Sequence, residues 1–384
     1  MKIVRTIDSF YPHLNCNIEQ AYRISKGLVD KGIKSPVFTK DDKFDGFTGD
    51  ENFYGVDVKR FKKSIGFMSF LYTPDIMSAL IDEKPDIIHA HGYRGYIPGV
   101  SYKVSKKLNI PFVLNTHGEL LNYGKISGKS VRLPYRAFDY LRKKIIIEAS
   151  AVVVSSTHEK QAAVDLGISE NKIYVIPAGI DFCDYDSTKG RRKRNDGIIR
   201  ILLSGNLLKN NNLMPILEAI KQISPPEIEL RVLLNNKNHI KINDEYLVGI
   251  KSYAEKNDIK VSFSDNLQGK EEIIEYIDSD FFISTPVSGN EDFQLLQAAA
   301  SALPVISTPV GLAGDVITQD KTGYIIDFEE LKHPVYLGER IKRLQDIKKR
   351  KEFGSKIKKI IQSNYQWDDI IMEYEKMYLK ISGK

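Results

Sequence analysis

Two stretches of the chain combine residue types and spacing suited to chemistry. The first is Phe281 to Thr308, FFISTPVSGNEDFQLLQAAASALPVIST. Its apolar run Phe281-Phe282-Ile283 predicts a buried strand, Ser284 to Asp292 a polar loop, and Phe293 to Ala300 a helix. Leu303-Pro304-Val305-Ile306 then opens the next strand. A helix that starts after such a loop exposes amides without internal partners, and its dipole favours negative charge, so the geometry suits an anion or a sugar-phosphate. An ordinary αβ turn has the same pattern, and the surrounding chain must decide between the two. The second stretch is Thr116-His117-Gly118-Glu119, directly after the apolar run Pro111 to Asn115. A histidine at the carboxyl end of a strand lies where open α/β sheets bind ligands.

The elements that must position these groups alternate along the whole chain. In the first half, strands are expected at Lys2 to Ile7, Pro36 to Thr39, Asp86 to Ala90, Pro111 to Asn115, Ala151 to Ser155 and Ile173 to Pro177. A loop, Asp8 to Asn17, leads to a helix with the periodicity Ile18, Tyr22, Ile24, Leu28, closed by Lys31-Gly32. Further helices are expected through Val104 and from about Leu133 to Ala149. After a polar, charge-dense segment, DYDSTKGRRKRNDG (Asp184 to Gly197), the alternation restarts with strands at Ile199 to Leu203, Glu229 to Leu234, Lys260 to Phe263, Phe281 to Ile283, Val305-Ile306 and Gly323 to Ile326. A last helix is expected from about Trp367 to Ile381. Strand-helix alternation predicts parallel sheets covered on both faces. The expected division is residues 1–185, a linker at 186–198, a second domain at 199–364, and a terminal piece at 365–384. Two such domains are expected to face one another across a cleft at the carboxyl ends of their strands.

The totals agree with this reading. A chain of 384 residues exceeds one usual core, and 42% hydrophobic with 28% charged residues is a globular composition. No apolar run approaches the roughly 18–20 residues that span a bilayer, and MKIVRTIDSF reads as a first strand rather than a signal peptide. Cys16 and Cys183 lie far apart and form no metal-ligand cluster, so a reducing cytoplasm is the expected compartment. The net charge of +6, from 56 basic and 50 acidic residues, is too mild to argue for nucleic acid but compatible with an anionic membrane surface.

The order of short motifs carries a resemblance. In the first half these are Phe10-Tyr11-Pro12, Ile18-Glu19, Lys31-Gly32-Ile33, Asp86-Ile87-Ile88-His89-Ala90-His91, Thr116-His117-Gly118-Glu119-Leu120, Ser155-Ser156 and Val175 to Asp181. In the second they are Ser204-Gly205, Leu303 to Thr308, Val310-Gly311, Thr322-Gly323-Tyr324 and the Trp367 helix. The chain resembles family-4 glycosyltransferases of the GT-B fold (the glycogen-synthase or group-1 type) over essentially its whole length. The resemblance implies two Rossmann-like doubly wound α/β domains and a closing helix that returns to the first. It implies transfer of a sugar, hexosyltransferase-type, from a nucleotide-sugar donor to an acceptor hydroxyl with retention of configuration. No metal or other cofactor is implied. The position of His117-Gly118 and the closing helix favour this pattern over another two-Rossmann nucleotide-sugar enzyme such as an epimerase.

Four parts of the family's site map onto this sequence. Its glycine-rich first loop corresponds to Cys16 and Asn17, which replace two glycines, with Gly118 also on the acceptor side; Asn tolerates a left-handed backbone better than Cys. Its histidine, which holds the donor sugar or reacting centre, corresponds to His117. The second domain's first loop begins at Gly205, and its phosphate-gripping Arg and Lys correspond to Asn206 and Asn211, with Lys209 nearby. Charged hydrogen bonds contribute about 1.5–3 kcal/mol each, so two lost cations correspond to a factor on the order of 10²–10⁴ if felt only in the transition state. The family's acidic pair, eight positions apart, corresponds to Gln297 and, by counting back, Gly289. Matching the Glu-x-Phe pattern through Phe293 instead gives Glu291 and requires a two-residue deletion. Gln297 retains hydrogen bonds to a ribose without the charge, and Asn290, Glu291, Asp292 and Gln294 are candidates to recognise a different sugar. Glu291 and Asp292 are equally readable as helix caps.

Leu133 to Ile147, LPYRAFDYLRKKIII, mixes basic and aromatic residues, as a surface meeting anionic lipid headgroups does; a solvated helix with a buried stripe reads the same way. The expectation is therefore a cytoplasmic transferase, peripheral on the inner face of the membrane, with a lipid-linked, polysaccharide or other glycan acceptor. The alternative is a catalytically silent relative that binds or regulates, because Asn206, Asn211 and Gln297 all lack the family's charge.

Overall fold

The structure is a computed structural model and describes residues 1–11, 16–41, 50–62, 73, 75–121, 142–185, 196–205, 213–223, 227–234, 244–265, 267, 269–286 and 292–383. It divides into two compact units, one of residues 1–179 with 367–384 and the other of residues 180–366. The expected boundary at residue 185 lies six residues beyond the observed one, since the 3-10 turn Phe182–Tyr185 packs within the second unit.

The first unit contains β1 (Ile3–Ile7), α1 (Cys16–Asp30), β2 (Val37–Lys40), β3 (Asp50–Phe53), β4 (Val56–Phe61), α2 (Ile76–Asp82), β5 (Ile87–His91), α3 (Tyr96–Leu108), β6 (Phe112–Asn115), β7 (Ala151–Val154), α4 (Thr157–Asp165) and β8 (Ile173–Val175). Its eight strands run in the order β3-β4-β2-β1-β5-β6-β7-β8, all parallel except the β3–β4 pair. That hairpin was not expected. Its signal is the Val56, Val58, Arg60 alternation, turned by Tyr54-Gly55 with both residues at positive φ, as two-residue hairpins require. The sheet reverses direction of growth between β1 and β5, its topological switch point. Val4, Ile88, Ala90 and Leu114 belong to the apolar core with α2 and α3.

The second unit contains β9 (Ile199–Gly205), α5 (Leu213–Lys221), β10 (Ile228–Leu234), α6 (Asp244–Lys256), β11 (Lys260–Asp265), α7 (Lys270–Ile277), β12 (Phe281–Ser284), α8 (Asp292–Ala300), β13 (Val305–Ser307), α9 (Ala313–Val316), β14 (Gly323–Ile325), α10 (Phe328–Leu331), α11 (Pro334–Arg343) and α12 (Ile347–Asn364). Six parallel strands in the order β11-β10-β9-β12-β13-β14 place its switch point between β9 and β12. Phe281 and Ile283 join Ile201, Leu203, Leu230 and Val232 in a core closed by α5 and α11. The apolar run read as a strand thus sits mid-sheet, buried on both faces.

The last helix, α13 (Trp367–Ser382), belongs to the first unit and packs on α1, where Ile371 lies against Gly27. Trp367, Ile370, Tyr374 and Tyr378 recur at helical spacing and are all buried. Residues 142–147 are helical, and the rest of the basic, aromatic Leu133–Ile147 stretch lies outside the described residues apart from this end.

Candidate active site

His117 follows the end of β6 in a left-handed backbone conformation, φ +50°, and Gly118 continues at φ +79°. A histidine in that region costs of order 1–3 kcal/mol and persists only where its surroundings enforce it. Here they do. Asn115 Oδ1 accepts the His117 amide at 3.1 Å, and Asn115 Nδ2 donates to the Tyr374 hydroxyl of α13 at 3.0 Å. The Thr116 amide donates to Val153 O at 3.0 Å and its hydroxyl to Glu159 Oε1 at 2.8 Å. Glu159 is fully buried and also accepts from the Ser155 and Leu120 amides, tying the loops after β6 and β7 together. Burial pushes its carboxyl up against these donors.

The imidazole is held as firmly as the backbone. His117 Nε2 lies 2.8 Å from His91 Nδ1, and the rings stack with centroids 5.0 Å apart. His91 stacks in turn on His89 at 4.5 Å. Arg5, fully buried in β1, reaches His89 Nδ1 at 2.8 Å, His91 Nε2 at 3.4 Å and the Tyr378 hydroxyl at 3.0 Å. The column exists because His89 and His91 are two residues apart on β5 and Arg5 pairs with His89 in register, so all three face α13. Removal from water lowers the pKa of all three histidines, His117 to about 3, and the Arg5 charge lowers those of His89 and His91 further. His117 is therefore neutral at physiological pH, with Nδ1 the ring nitrogen left for a ligand.

Beside it, Glu119 accepts the Tyr93 amide at 2.9 Å in the turn between β5 and α3. Burial pushes its carboxyl up to about 7, against the opposing pull of the Tyr93 and Arg94 amides and the Arg94 charge.

Cys16 and Asn17 correct the sequence reading. They are the first two residues of α1 and not its preceding loop, so their backbones are helical rather than left-handed. Residues 12–15 lie outside the described residues. Glu19, in the first turn of α1, is engaged by Arg23 at 2.6 Å and by the Tyr11 hydroxyl.

In the second unit Gly205 ends β9 at the switch point, buried. Asn206, Lys209, Asn211, Gly289, Asn290 and Glu291 lie outside the described residues. Phe293 is half-buried in the first turn of α8. Gln297 is buried with both ends of its amide in use: Oε1 accepts from Tyr276 at 3.1 Å and Nε2 donates to Tyr185 at 3.0 Å. One N–H and one lone pair remain for any ribose. Asp292, which begins α8, accepts the Leu312 amide at 2.7 Å. A Cβ on Gly311, φ +57°, would stand 2.1 Å from Asp292 Oδ1, so only glycine lets the carboxylate reach that amide.

Sequence reasoning missed Arg5, His91, Tyr185 and Asp292's partner. The first two left a signal: a cation mid-strand and a His-x-His pair on one face of another strand, in a sheet whose faces are both buried. Tyr185 left none, because its partner is 112 residues away.

Comparison with known proteins gives the family and the fold. Residues 19–182 match the family model described as Glycosyltransferase Family 4, and residues 184–360 that of Glycosyl transferases group 1. The chain belongs to the group-1 glycosyltransferases of the GT-B fold. It is similar to spore coat protein SA of Bacillus subtilis, 22% identical over 90% of this chain and 88% of that one. A glycosyltransferase from Rickettsia africae superposes with a TM-score of 0.76 at 15% identity, covering 99% of this chain and 98% of that one. Anabaena HepE, solved in complex with UDP and glucose, gives 0.75 at 13% identity over 99% and 100%. At such identities the structural likeness speaks for the fold. Among the described residues no helix is long and apolar enough to cross a membrane.

Proposed function

We propose that this chain transfers a hexose from a nucleotide-sugar donor to a hydroxyl of a glycan or lipid-linked acceptor, retaining anomeric configuration and requiring no metal. The observation that carries the proposal is His117, held neutral by burial and rigid by Asn115 and His91 at the end of β6. A neutral imidazole offers a substrate hydroxyl a directional hydrogen bond without adding charge. The amides and dipole at the start of α8 support a diphosphate in the second unit, against the opposing charge of Asp292, and the UDP complexes of Anabaena HepE support it too. With Asn206 and Asn211 at the family's cation positions, Lys209 is the remaining candidate for the departing phosphate, and Glu291, Asn290 and Gly289 for the sugar. The basic first-unit sequence around Leu133 to Ile147 supports a peripheral position on the cytoplasmic face of a membrane. Titration calorimetry with a panel of nucleoside diphosphates and nucleotide sugars tests the donor reading, and binding to none of them overturns it. Transfer or hydrolysis lost in His117→Ala then marks an enzyme.

A second reading, a silent relative that binds or regulates, draws on a different observation. The Asp292 carboxylate already occupies the Leu312 amide, and Gln297 is spanned by Tyr185 and Tyr276. Both place the chain's own groups where a nucleotide would otherwise find partners. Donor binding without turnover would favour this reading.

A further inference from the structure

We propose that Arg5 and His91 are positioning residues that fix the proton of His117 on Nδ1, so that His117 meets its substrate as a hydrogen-bond donor and not as a base. The inference rests on the transferase reading only for what His117 touches; the proton placement follows from the column itself.

Arg5 is the one member of the column whose protons are fixed. A guanidinium has donors and no acceptor. Arg5 Nη1 lies 2.8 Å from His89 Nδ1 and 3.4 Å from His91 Nε2, and its two hydrogens serve both. Both of these ring nitrogens must therefore present lone pairs. His91 is neutral, so its single proton is on Nδ1. That nitrogen is 2.8 Å from His117 Nε2, which must accept. Nε2 being the acceptor, the proton of neutral His117 is on Nδ1. His89 obeys the same logic: its proton is displaced to Nε2, a buried nitrogen without a partner among the described residues. The opposite arrangement would turn a His91 N–H toward a buried cation and leave His117 with an outward lone pair. The low dielectric of the site makes that arrangement the costlier one.

The column also explains why α13 matters to the site. Tyr378 Oη is 2.6 Å from His89 Nδ1 and accepts from Arg5 Nη2, which fixes the guanidinium plane. Tyr374 holds the backbone of the same histidine through Asn115. One helix thus sets both the conformation of His117 and, through Arg5, the direction of its hydrogen bond.

The test reads the tautomer directly. The chain has seven histidines, so a long-range proton–nitrogen correlation spectrum of the full chain labelled with [15N]histidine is resolvable, with His117→Gln identifying the resonance. The expected pattern at pH 7.5 is a protonated Nδ1 and an unprotonated Nε2 on His117. A protonated Nε2, or an averaged mixture, overturns the proposal. Arg5→Met keeps the stem and removes the cation; it should convert the His117 pattern to a mixture and lower kcat/KM at least tenfold. If that variant does not fold, His91 supplies the control. His91→Asn keeps an amide donor near the Nδ1 position and should retain the wild-type His117 pattern, whereas His91→Leu should lose it. Equal spectra for those two variants also overturn the proposal. Because the spectra need no substrate, a correct tautomer in a chain that binds no nucleotide sugar refutes the transferase reading and leaves the proton placement standing.

Discussion

The Gln297 amide nitrogen donates to the Tyr185 hydroxyl at 3.0 Å, joining α8 to the 3-10 turn that opens the second unit. This bond binds Gln297 to its own fold, at the position where the family resemblance implies a carboxylate for the ribose. Gln297→Glu restores that carboxylate, and both tyrosine hydroxyls can rotate to donate to it. A charged acceptor exceeds a neutral one by about 1 kcal/mol, so UDP should bind roughly fivefold more tightly. Calorimetric titration checks this, and unchanged affinity would remove position 297 from the nucleotide's contacts.

Asp292 governs the same helix start. Its carboxylate opposes a diphosphate there, and Asp292→Asn keeps an acceptor for the Leu312 amide while removing the charge. At an effective dielectric near 20, relief of one like charge at about 12 Å or nearer corresponds to at least roughly a tenfold gain in affinity for UDP. The gain should shrink as salt is raised from low to physiological concentration. A titration series in salt measures both.

Glu119 gives the first unit a pH signature. Its folded-state pKa is raised from 4.5 to about 7, so the folded state holds its proton more tightly than the unfolded chain does. The associated stability is complete below pH 4.5, declines as pH rises to 7, and is gone above it. Over that window it amounts to at most about 3 kcal/mol. Glu119→Gln should abolish this slope, leaving contributions such as those of Glu159 and the histidines common to both proteins. Urea unfolding of wild type and variant between pH 4.5 and 7.5 supplies the comparison, and parallel curves would contradict it.

Tyr374 supports the His117 turn from α13. Tyr374→Phe removes the nearer of the two acceptors of the Asn115 amide, leaving Gln20 Oε1 at 3.3 Å, at about 1 kcal/mol. Asn115→Ala removes that bond and the one to the His117 amide together. The two changes share a network, so the double variant should be less destabilised than the sum of the singles. A double-mutant cycle by denaturant unfolding measures this coupling, with additivity as the contrary result.

Much of the fold was legible before any tertiary contact was known, because a strand buried on both faces writes itself as an unbroken apolar run. Phe281-Phe282-Ile283 and Ala151 to Val154 are such runs, as is Ile201-Leu202-Leu203 after Arg200, and each lies in a strand as expected. The place of His117 was legible too, from a histidine and glycine just after the apolar run of β6, Phe112–Asn115. The β3–β4 hairpin was not, since short edge strands with charged outer faces resemble loops.

Sequence alone therefore determined the two parallel-sheet units, the family, and the addresses of His117 and α8, all of which follow from local periodicity and ordered short motifs. Tertiary structure decided what those addresses can do. Arg5, His89 and Tyr378 meet only because β1, β5 and a helix that places Tyr378 289 residues after His89 share one buried face. Gln297 meets Tyr185 only because the chain entering the second unit folds back on α8. The proton on His117 and the free capacity of Gln297 depend on partners distant in sequence, and no local pattern encodes which partner a buried polar group will find.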